Sequence, residues 1–209
     1  MDDLFSTARS NIDHLELAGA DVVFARGFLT REDAEHLFSE LRNVTPWKAV
    51  EISVWGKRVM QPRLISWHGD TDASYKYSGV RLQPEPWTPT LLRLREQIEQ
   101  FTKTNFNSVL LNLYRDQNDS MGWHSDDEPE LGERPTIASL SLGETRHFLM
   151  RNKSAATSPK VSLPLSSGSL LVMSGDTQRN WKHAIRREVG QMGPRINLTF
   201  RRIVRREAH

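Results

Sequence analysis

Two histidines and one aspartate have the residue types and the spacing of metal ligands. His124 and Asp126 lie two residues apart, and in an extended chain the side chains at i and i+2 point to the same side. His183, further along the chain, is a third candidate. A His-X-Asp pair alone is a weak signal, because a single histidine is more often a hydrogen-bonded structural residue than a ligand. Two imidazoles and one carboxylate on one face of an octahedral ion leave three positions open, which is typical of non-haem Fe(II) oxygenases.

The absence of cysteine narrows the chemistry. The 209 residues contain no Cys, which excludes disulfides, zinc-thiolate sites and thiol nucleophiles. Any metal must be bound by imidazole and carboxylate groups, which suit iron, manganese or zinc. No apolar run approaches the ~18 residues of a membrane span, and the N-terminal residues are acidic and polar, unlike a secretion signal. We therefore expect a cytoplasmic protein, or a nuclear one in a eukaryote.

The segment 195–201 carries a polar face that could bind a carboxylate ligand. In a strand, the period of two places four polar residues on one side: Arg195, Asn197, Thr199 and Arg201. This face is either solvent-exposed or the wall of a pocket for a dicarboxylate. In a pocket, the planar guanidinium groups would bind carboxylate oxygens in pairs, and the Thr199 hydroxyl would add a hydrogen bond. Asn112 and Tyr114, also two residues apart, are suited to complete such a pocket from a neighbouring strand.

Two amphipathic helices must help to position these residues. Residues 30–43 have an apolar face, and Thr30 can cap this helix with Asp33 at the capping-box spacing. A second helix is predicted to begin at Thr88, with Pro89 at its first helical position. From residue 108 onward the pattern changes to short β-rich segments separated by Gly, Asn, Ser and Pro. Helices followed by many short strands predict an α+β protein whose catalytic half is a β-sandwich or jelly roll.

Taken in order, these motifs resemble the AlkB family of oxidative demethylases, over roughly residues 50–203. The matching motifs are Asn112-Leu-Tyr114, His124-Ser-Asp126, His183 and the segment 195–201. The resemblance implies a double-stranded β-helix (jelly-roll) core at 108–209, preceded at 1–107 by N-terminal helices and a nucleotide-recognition lid, in one structural domain.

The resemblance also implies a cofactor, a cosubstrate and a reaction. The iron ligands would be His124, Asp126 and His183. Arg195 would pair with the distal carboxylate of 2-oxoglutarate, and the rest of that site would be formed by Asn112, Tyr114, Thr199 and Arg201. With Fe(II) bound, 2-oxoglutarate and O2 would yield succinate and CO2, while a methyl group on a base nitrogen is hydroxylated and lost as formaldehyde. The implied substrates are N1-methyladenine and N3-methylcytosine in DNA.

Three further residues are predicted to contact the damaged base. Asp127 is either a surface charge in an acidic turn or a base contact, since a carboxylate would favour these cationic methylated bases. Tyr75 and Tyr77 lie in a stretch that resembles the family's nucleotide-recognition segment. By that resemblance Tyr77 and His124 would sandwich the base, and Tyr75 would form a hydrogen bond nearby. Stacking of this kind contributes ~1–3 kcal/mol per base, against a few kcal/mol for extracting the base.

The segment 54–57 resembles the finger loop of a family member that repairs double-stranded DNA. Trp55 stands where an aromatic ring fills the gap left by the flipped base, followed by Gly56 and Lys57, with Arg63 at the matching distance. An apolar wedge between base steps holds a duplex open. The alternative is that Trp55 is a core residue of a hairpin. If the finger interpretation is right, alkylated DNA is a substrate as a duplex and as a single strand.

Several alternatives remain open at the level of sequence. The protein could be an RNA or protein demethylase of the same family, or a jelly-roll binding module without catalysis, although the complete set of ligands argues against the latter. Nothing demands more than a monomer. Net charge is only +2, but arginines crowd the last quarter, which is either a solvated basic tail or a phosphate-contacting surface: Arg186, Arg187, Arg195, Arg201, Arg202, Arg205 and Arg206.

Overall fold

The computed structural model describes residues 11–54, 57–73, 75–77, 80–154 and 160–204. In this part of the chain the strands are β1 (Ile12–Leu17), β2 (Ala20–Ala25), β3 (Glu51–Val54), β4 (Lys57–Met60), β5 (Leu64–Gly69), β6 (Tyr75–Tyr77), β7 (Val80–Leu82), β8 (Ser108–Tyr114), β9 (Met121–His124), β10 (Ile137–Gly143), β11 (Arg146–Asn152), β12 (Val161–Leu165), β13 (Leu170–Ser174), β14 (Trp181–Ile185) and β15 (Arg195–Arg201). The helices are α1 (Arg31–Val44), α2 (Pro89–Thr102) and the short α3 (Thr177–Asn180), with a 3-10 turn at Pro129–Leu131.

Both predicted long helices are confirmed, and so are their starting residues. The Thr30 side chain accepts a hydrogen bond from the Asp33 amide at the N-terminus of α1, and the Thr88 side chain accepts one from the Leu91 amide at the N-terminus of α2. These caps satisfy backbone donors that the first helical turn leaves without partners. None of the described helices is long and apolar enough to cross a membrane.

Two antiparallel sheets form the core of the protein, as in a jelly roll. The larger sheet has the strand order β1-β2-β13-β10-β15-β8-β5, and the smaller sheet has the order β12-β11-β14-β9. Two further hairpins, β3-β4 and β6-β7, stand apart from both sheets. The predicted fold is therefore confirmed, but the boundary at 107/108 does not separate helices from strands. The chain before it supplies β1, β2 and β5 to the larger sheet.

Strand alternation divides the interior into two apolar layers. Leu110 and Tyr114 of β8 pack between the sheets, whereas Leu111 and Leu113 of the same strand pack under the helices. The layer under the helices also contains the apolar faces of α1 and α2, including Leu41 and other buried side chains. Because β8 and β15 are covered on both faces, their polar residues are enclosed between the two sheets.

Gly143, at the end of β10, gives a prediction about stability. Its φ of +84° favours glycine, and a Cβ there would lie 2.5 Å from the Pro194 carbonyl oxygen and 2.6 Å from the Phe38 ring. We expect Gly143→Ala to lower the free energy of unfolding by about 2–4 kcal/mol through backbone strain and overpacking, as measured by chemical denaturation. Gly27→Ala is the matched control, because its nearest neighbour is 4.0 Å away. Equal stability of the two variants would contradict this account of the turn.

Candidate metal centre and adjoining cavity

The predicted triad comes together at the edge of the smaller sheet. His124 ends β9 and lies opposite His183 of β14, its partner in the strand register. The ring centroids are 4.2 Å apart, and His183 Nε2 is 3.9 Å from Asp126 Oδ2. One potential ligand atom from each of the three residues lies within 4.8 Å of the other two. The prediction that His124, Asp126 and His183 meet is confirmed, and their spacing fits a single metal ion.

Neighbouring groups fix the orientation of both histidines. His124 Nδ1 lies 2.9 Å from the Gly122 carbonyl oxygen, so this nitrogen donates its proton there and Nε2 remains available for a metal. Such a contact to the non-ligating nitrogen is usual for metal-binding histidines. The His183 ring stacks on Phe148, with centroids 5.1 Å apart. The His124 ring is therefore held by its own strand, and the His183 ring by the neighbouring strand β11.

Asp126 is held by a buried arginine and a buried amide. Arg201 Nη2 donates to Asp126 Oδ1 at 2.8 Å, and the Asp126 backbone N–H donates to Gln178 Oε1 at 3.0 Å. Arg201 was predicted from the resemblance to complete the 2-oxoglutarate site. The structure adds a contact with the metal-site carboxylate, which spacing along the chain did not indicate.

The electrostatic environment favours the protonation states that bind a divalent cation. Burial lowers the pKa of His183 to about 3, and the neighbouring His124 adds to this effect. Burial likewise lowers the pKa of His124. Burial acts to raise the pKa of Asp126, but Arg201 and the two histidines outweigh it and hold that pKa below its ordinary value. At neutral pH the site thus has two neutral imidazoles and one carboxylate, as metal binding requires.

The hydrogen bond between Gln178 and the Asp126 backbone N–H gives a testable prediction, because it is the contact through which Gln178 reaches the triad. We expect Gln178→Leu, which keeps the side chain's approximate size, to weaken metal binding by about 10- to 100-fold, the usual effect of removing a group that orients a ligand. Titration with Mn(II) followed by electron paramagnetic resonance measures this. An unchanged Mn(II) affinity in the folded variant would show that Gln178 does not orient Asp126.

A cavity lined by the triad extends along β8 and β15. Its volume is about 140 Å³, and the predicted cosubstrate residues line it: Asn112, Tyr114, Arg195, Thr199 and Arg201. Since one water needs about 10–15 Å³ of such space, the cavity holds on the order of ten non-hydrogen atoms, comparable to 2-oxoglutarate. The four polar residues of β15 are 1–7% exposed. The alternative of a solvent-exposed polar face is therefore wrong. The alternative of a solvated basic tail is also wrong for Arg195 and Arg201.

The guanidinium group of Arg195 marks where an anion fits. Nη2 donates to Ser141 Oγ at 2.9 Å, whereas Nε and Nη1 have no hydrogen-bond partner among the described residues. No described acidic side chain forms an ion pair with it. Burial lowers the pKa of Arg195 to about 10, with Tyr114 opposing the shift and Arg146 adding to it, so the group stays charged at neutral pH. A buried cation without a counter-charge is costly, and the carboxylate of a dicarboxylate ligand would supply one.

Arg63, predicted to contact DNA near the finger loop, is a buried residue just before β5. Its side chain is only 3% exposed, and Nε donates to Asn112 Oδ1 at 2.8 Å. This contact orients Asn112 in the cavity wall, and the predicted role of Arg63 at DNA remains a prediction. Spacing from the finger loop could not indicate the bond to Asn112, because that residue lies 49 positions away in the chain.

Asp127 and its neighbour Glu128 lie in different surroundings, and the predicted base contact of Asp127 remains a prediction. The Asp127 carboxylate is exposed and pairs with Lys153 Nζ at 2.9 Å, outside the cavity. Glu128 lines the cavity, and its buried Oε2 has no hydrogen-bond partner among the described residues. The signal was present in the sequence: the alternation that groups His124 with Asp126 continues to Glu128 and leaves Asp127 on the other side.

The remaining predicted substrate contacts are Trp55, Gly56, Lys57, Tyr75 and Tyr77. Trp55 and Gly56 lie outside the described residues. Lys57 begins β4, and Tyr75 and Tyr77 begin and end β6. The roles assigned to these five residues remain predictions.

A jelly roll with a His-Asp-His site beside a buried arginine defines a class, the 2-oxoglutarate- and Fe(II)-dependent oxygenases. Residues 21–201 match the family model described as the 2OG-Fe(II) oxygenase superfamily. The solved structure of OsALKBH1 has a TM-score of 0.61 and 17% sequence identity, covers 91% of this chain and 99% of its own, and supports the fold alone.

Curated relatives narrow the class to one family. The bovine alpha-ketoglutarate-dependent dioxygenase alkB homolog 3 is 43% identical over 87% of this chain and 66% of its own length. The human DNA oxidative demethylase ALKBH2 is 37% identical over 91% of this chain and 76% of its own length. This chain belongs to the AlkB family of the 2OG-Fe(II) oxygenase superfamily. It spans just under two thirds of the length of the alkB homolog 3 relatives, 62–66%. The predicted cofactors Fe(II), 2-oxoglutarate and O2 are confirmed by this membership.

Proposed function

We propose that this protein repairs DNA by oxidative demethylation of N-alkylated bases, with N1-methyladenine and N3-methylcytosine as substrates. The observation that carries the proposal is the joint geometry of the triad and Arg195. A metal site and a buried, uncompensated cation line one cavity, as a chelating dicarboxylate requires. The names of the human ALKBH2 and bovine alkB homolog 3 proteins support the reaction.

Each residue of the site has a distinct role in this proposal. Fe(II), held by the triad, supplies the oxidising chemistry with 2-oxoglutarate and O2. Arg195 binds the distal carboxylate of 2-oxoglutarate through Nε and Nη1. Tyr114 and Thr199 line the same cavity, and Asn112 does so while accepting a hydrogen bond from Arg63. These contacts fix the cosubstrate relative to the metal, so that its reaction with O2 occurs beside the substrate.

Glu128 supports a methylated base as the substrate. Its buried carboxylate oxygen faces the cavity without a hydrogen-bond partner among the described residues. N1-methyladenine and N3-methylcytosine are cationic at neutral pH, whereas the normal bases are neutral. A carboxylate beside the flipped base would therefore favour the damaged forms.

A cationic surface formed by Arg151, Lys182 and Arg186 supports a polyanionic substrate. Arg151 and Arg186 lie over the ring of Trp123, with guanidinium carbons 4.4 and 5.9 Å from its centroid. None of the three cations forms an ion pair with an acidic side chain among the described residues. A surface of this kind attracts phosphodiester backbones.

We also propose that the protein acts as a monomer. Its proposed location is the cytoplasm, or the nucleus in a eukaryote.

A substrate panel tests the proposed function. Oligonucleotides of DNA and RNA carrying N1-methyladenine or N3-methylcytosine, and a methylated histone peptide, are incubated with Fe(II), 2-oxoglutarate and O2, and demethylated product is quantified by mass spectrometry. We expect demethylation of DNA, none by Asp126→Asn, and none of the peptide. Higher turnover of RNA than of DNA would move the assignment to an RNA demethylase, and equal turnover of the peptide would overturn the nucleic-acid assignment.

Trp55 tests the preference for duplex DNA. If its ring fills the gap left by the flipped base, Trp55→Ala should reduce turnover of double-stranded substrate by on the order of ten-fold, given ~1–3 kcal/mol of stacking. Single-stranded turnover should change little. Trp55→Phe is the control, since a phenyl ring can still stack. An equal loss on both substrates would assign Trp55 to the core of the hairpin.

A further inference from the structure

Arg146 is a fully buried arginine that takes no direct part in binding the metal or the cosubstrate. It begins β11 and is 0% exposed, and it does not line the cavity. Burial of a guanidinium group is costly unless hydrogen bonds and charge compensate it. The partners of this side chain therefore indicate what it does.

Three backbone carbonyls on two different loops accept its hydrogen bonds. Nη1 donates to Asp116 O at 3.2 Å and Nη2 to Asp119 O at 3.0 Å, both on the loop between β8 and β9. Nη2 also donates to Arg186 O, on the loop between β14 and β15. A fourth contact places Nε 3.7 Å from Glu188 Oε1 on this second loop. One side chain thus ties the two loops together.

Each of these loops joins the two halves of the site. The first runs from β8, which carries Asn112 and Tyr114, to β9, which carries His124. The second runs from β14, which carries His183, to β15, which carries Arg195. The strands with metal ligands belong to the smaller sheet, and those of the cosubstrate pocket belong to the larger sheet. Arg146 therefore bridges the connections between the sheets at this end of the fold.

Arg146 also contacts the cosubstrate pocket from behind. The Tyr114 ring lies near two guanidinium groups, with its centroid 5.7 Å from Arg146 Cζ and 5.2 Å from Arg195 Cζ. Glu188 compensates the charge of Arg146, whereas no acidic side chain among the described residues pairs with Arg195. The two neighbouring arginines are therefore suited to different tasks, Arg195 to an external anion and Arg146 to internal carbonyls.

We propose that Arg146 is a positioning residue that fixes the distance between the metal ligands and the 2-oxoglutarate pocket. The inference depends on the cosubstrate site described above and not on the identity of the methylated substrate. Loss of Arg146 leaves the two histidines in place, because their strands pair with each other in one sheet, and leaves the Asp126 backbone bonded to Gln178. Without Arg146 the distance between the smaller sheet and Arg195 is less fixed. A ligand that must reach both the metal and Arg195 therefore binds more weakly.

Binding measurements on Arg146→Lys and Arg146→Gln test this proposal without catalysis. Mn(II) affinity is measured first. The affinities for 2-oxoglutarate and 2-oxobutanoate are then measured on the Mn(II)-loaded protein. The second ligand can chelate the metal but has no distal carboxylate. We expect Mn(II) and 2-oxobutanoate affinities within about two-fold of wild type, and 2-oxoglutarate affinity reduced about 10- to 100-fold, the range for groups that orient ligands. Arg202→Gln, an exposed arginine just after β15, is the control and should change none of the three.

Two results would overturn the proposal. Equal losses for 2-oxoglutarate and 2-oxobutanoate would indicate general damage to the metal site. Unchanged 2-oxoglutarate affinity in either folded variant would show that Arg146 does not set the spacing. If Arg146→Gln fails to fold, Arg146→Lys retains a donor and the charge and decides the question. Because no methylated substrate is used, failure here is distinguishable from failure of the proposed DNA demethylation.

Discussion

Replacement of Asp126 by asparagine is expected to abolish demethylation and to weaken metal binding severely. The carboxylate is the only anionic member of the triad, and its Oδ1 accepts a hydrogen bond from buried Arg201 at 2.8 Å. Loss of a group that only orients a ligand weakens metal binding about 10- to 100-fold, so we expect loss of the ligand carboxylate itself to weaken it further. Titration of the apoprotein with Mn(II) measures this directly.

The adjacent carboxylate provides a matched control for this variant. Asp127 is exposed and pairs with Lys153, and exposed pairs of this kind contribute only about 0–1 kcal/mol. We expect Asp127→Asn to bind Mn(II) with wild-type affinity. If both variants lost the metal equally, the assignment of Asp126 as the ligand would be wrong.

Arg195→Met is expected to weaken cosubstrate binding without lowering protein stability. Loss of a charge-assisted contact to the distal carboxylate costs about 2–5 kcal/mol, so 2-oxoglutarate affinity should fall by on the order of 10²-fold or more. In the absence of ligand, however, the variant removes a buried cation that lacks a counter-charge. Apolar replacement of buried charges is often neutral or stabilising by about 1–4 kcal/mol, so the free energy of unfolding should not decrease.

These opposite changes are measured by calorimetric titration of 2-oxoglutarate into Mn(II)-loaded protein and by urea denaturation of the apoprotein. Arg202→Met, on an exposed arginine of the same segment, should change neither quantity appreciably. If Arg195→Met lost both 2-oxoglutarate affinity and stability, Arg195 would stabilise the fold and its main role would not be ligand binding.

Much of the site could be predicted because it lies on strands whose alternation is regular. In β15 a strict period of two separates Arg195, Asn197, Thr199 and Arg201 from the apolar residues between them. The same rule grouped His124 with Asp126. What alternation could not decide was whether the polar face is buried, since that depends on the smaller sheet packing over it.

Some tertiary contacts could not be read from local patterns. Glu128 lines the cavity, whereas the sequence indicated only Asp127 as a carboxylate beside the base. Arg63 was assigned by distance from the finger loop, yet it bonds to Asn112, a residue 49 positions away in the chain. Arg146 gave no local signal, because an isolated arginine at the start of a strand is usually exposed. Only the tertiary structure brings the carbonyls of two loops to it.

The β1-β2 hairpin was also missed, although a signal for it exists. Gly19, with a φ of +66°, sits in the two-residue turn between strands that pair in register, as tight hairpin turns favour. The short polar alternation around it was too weak to stand out beside the two strong helix patterns. The strands nevertheless extend the larger sheet beyond β13.

The central claim is that the triad and Arg195 bind Fe(II) and 2-oxoglutarate together, and anaerobic absorption spectroscopy tests it most directly. Fe(II) is added to the apoprotein without O2, followed by 2-oxoglutarate, and the visible spectrum is recorded at each step. We predict a weak metal-to-ligand charge-transfer band that requires both additions, is lost in Asp126→Asn and needs far more 2-oxoglutarate in Arg195→Met. Absence of the band in the wild-type protein, or its persistence in Asp126→Asn, would contradict the assignment.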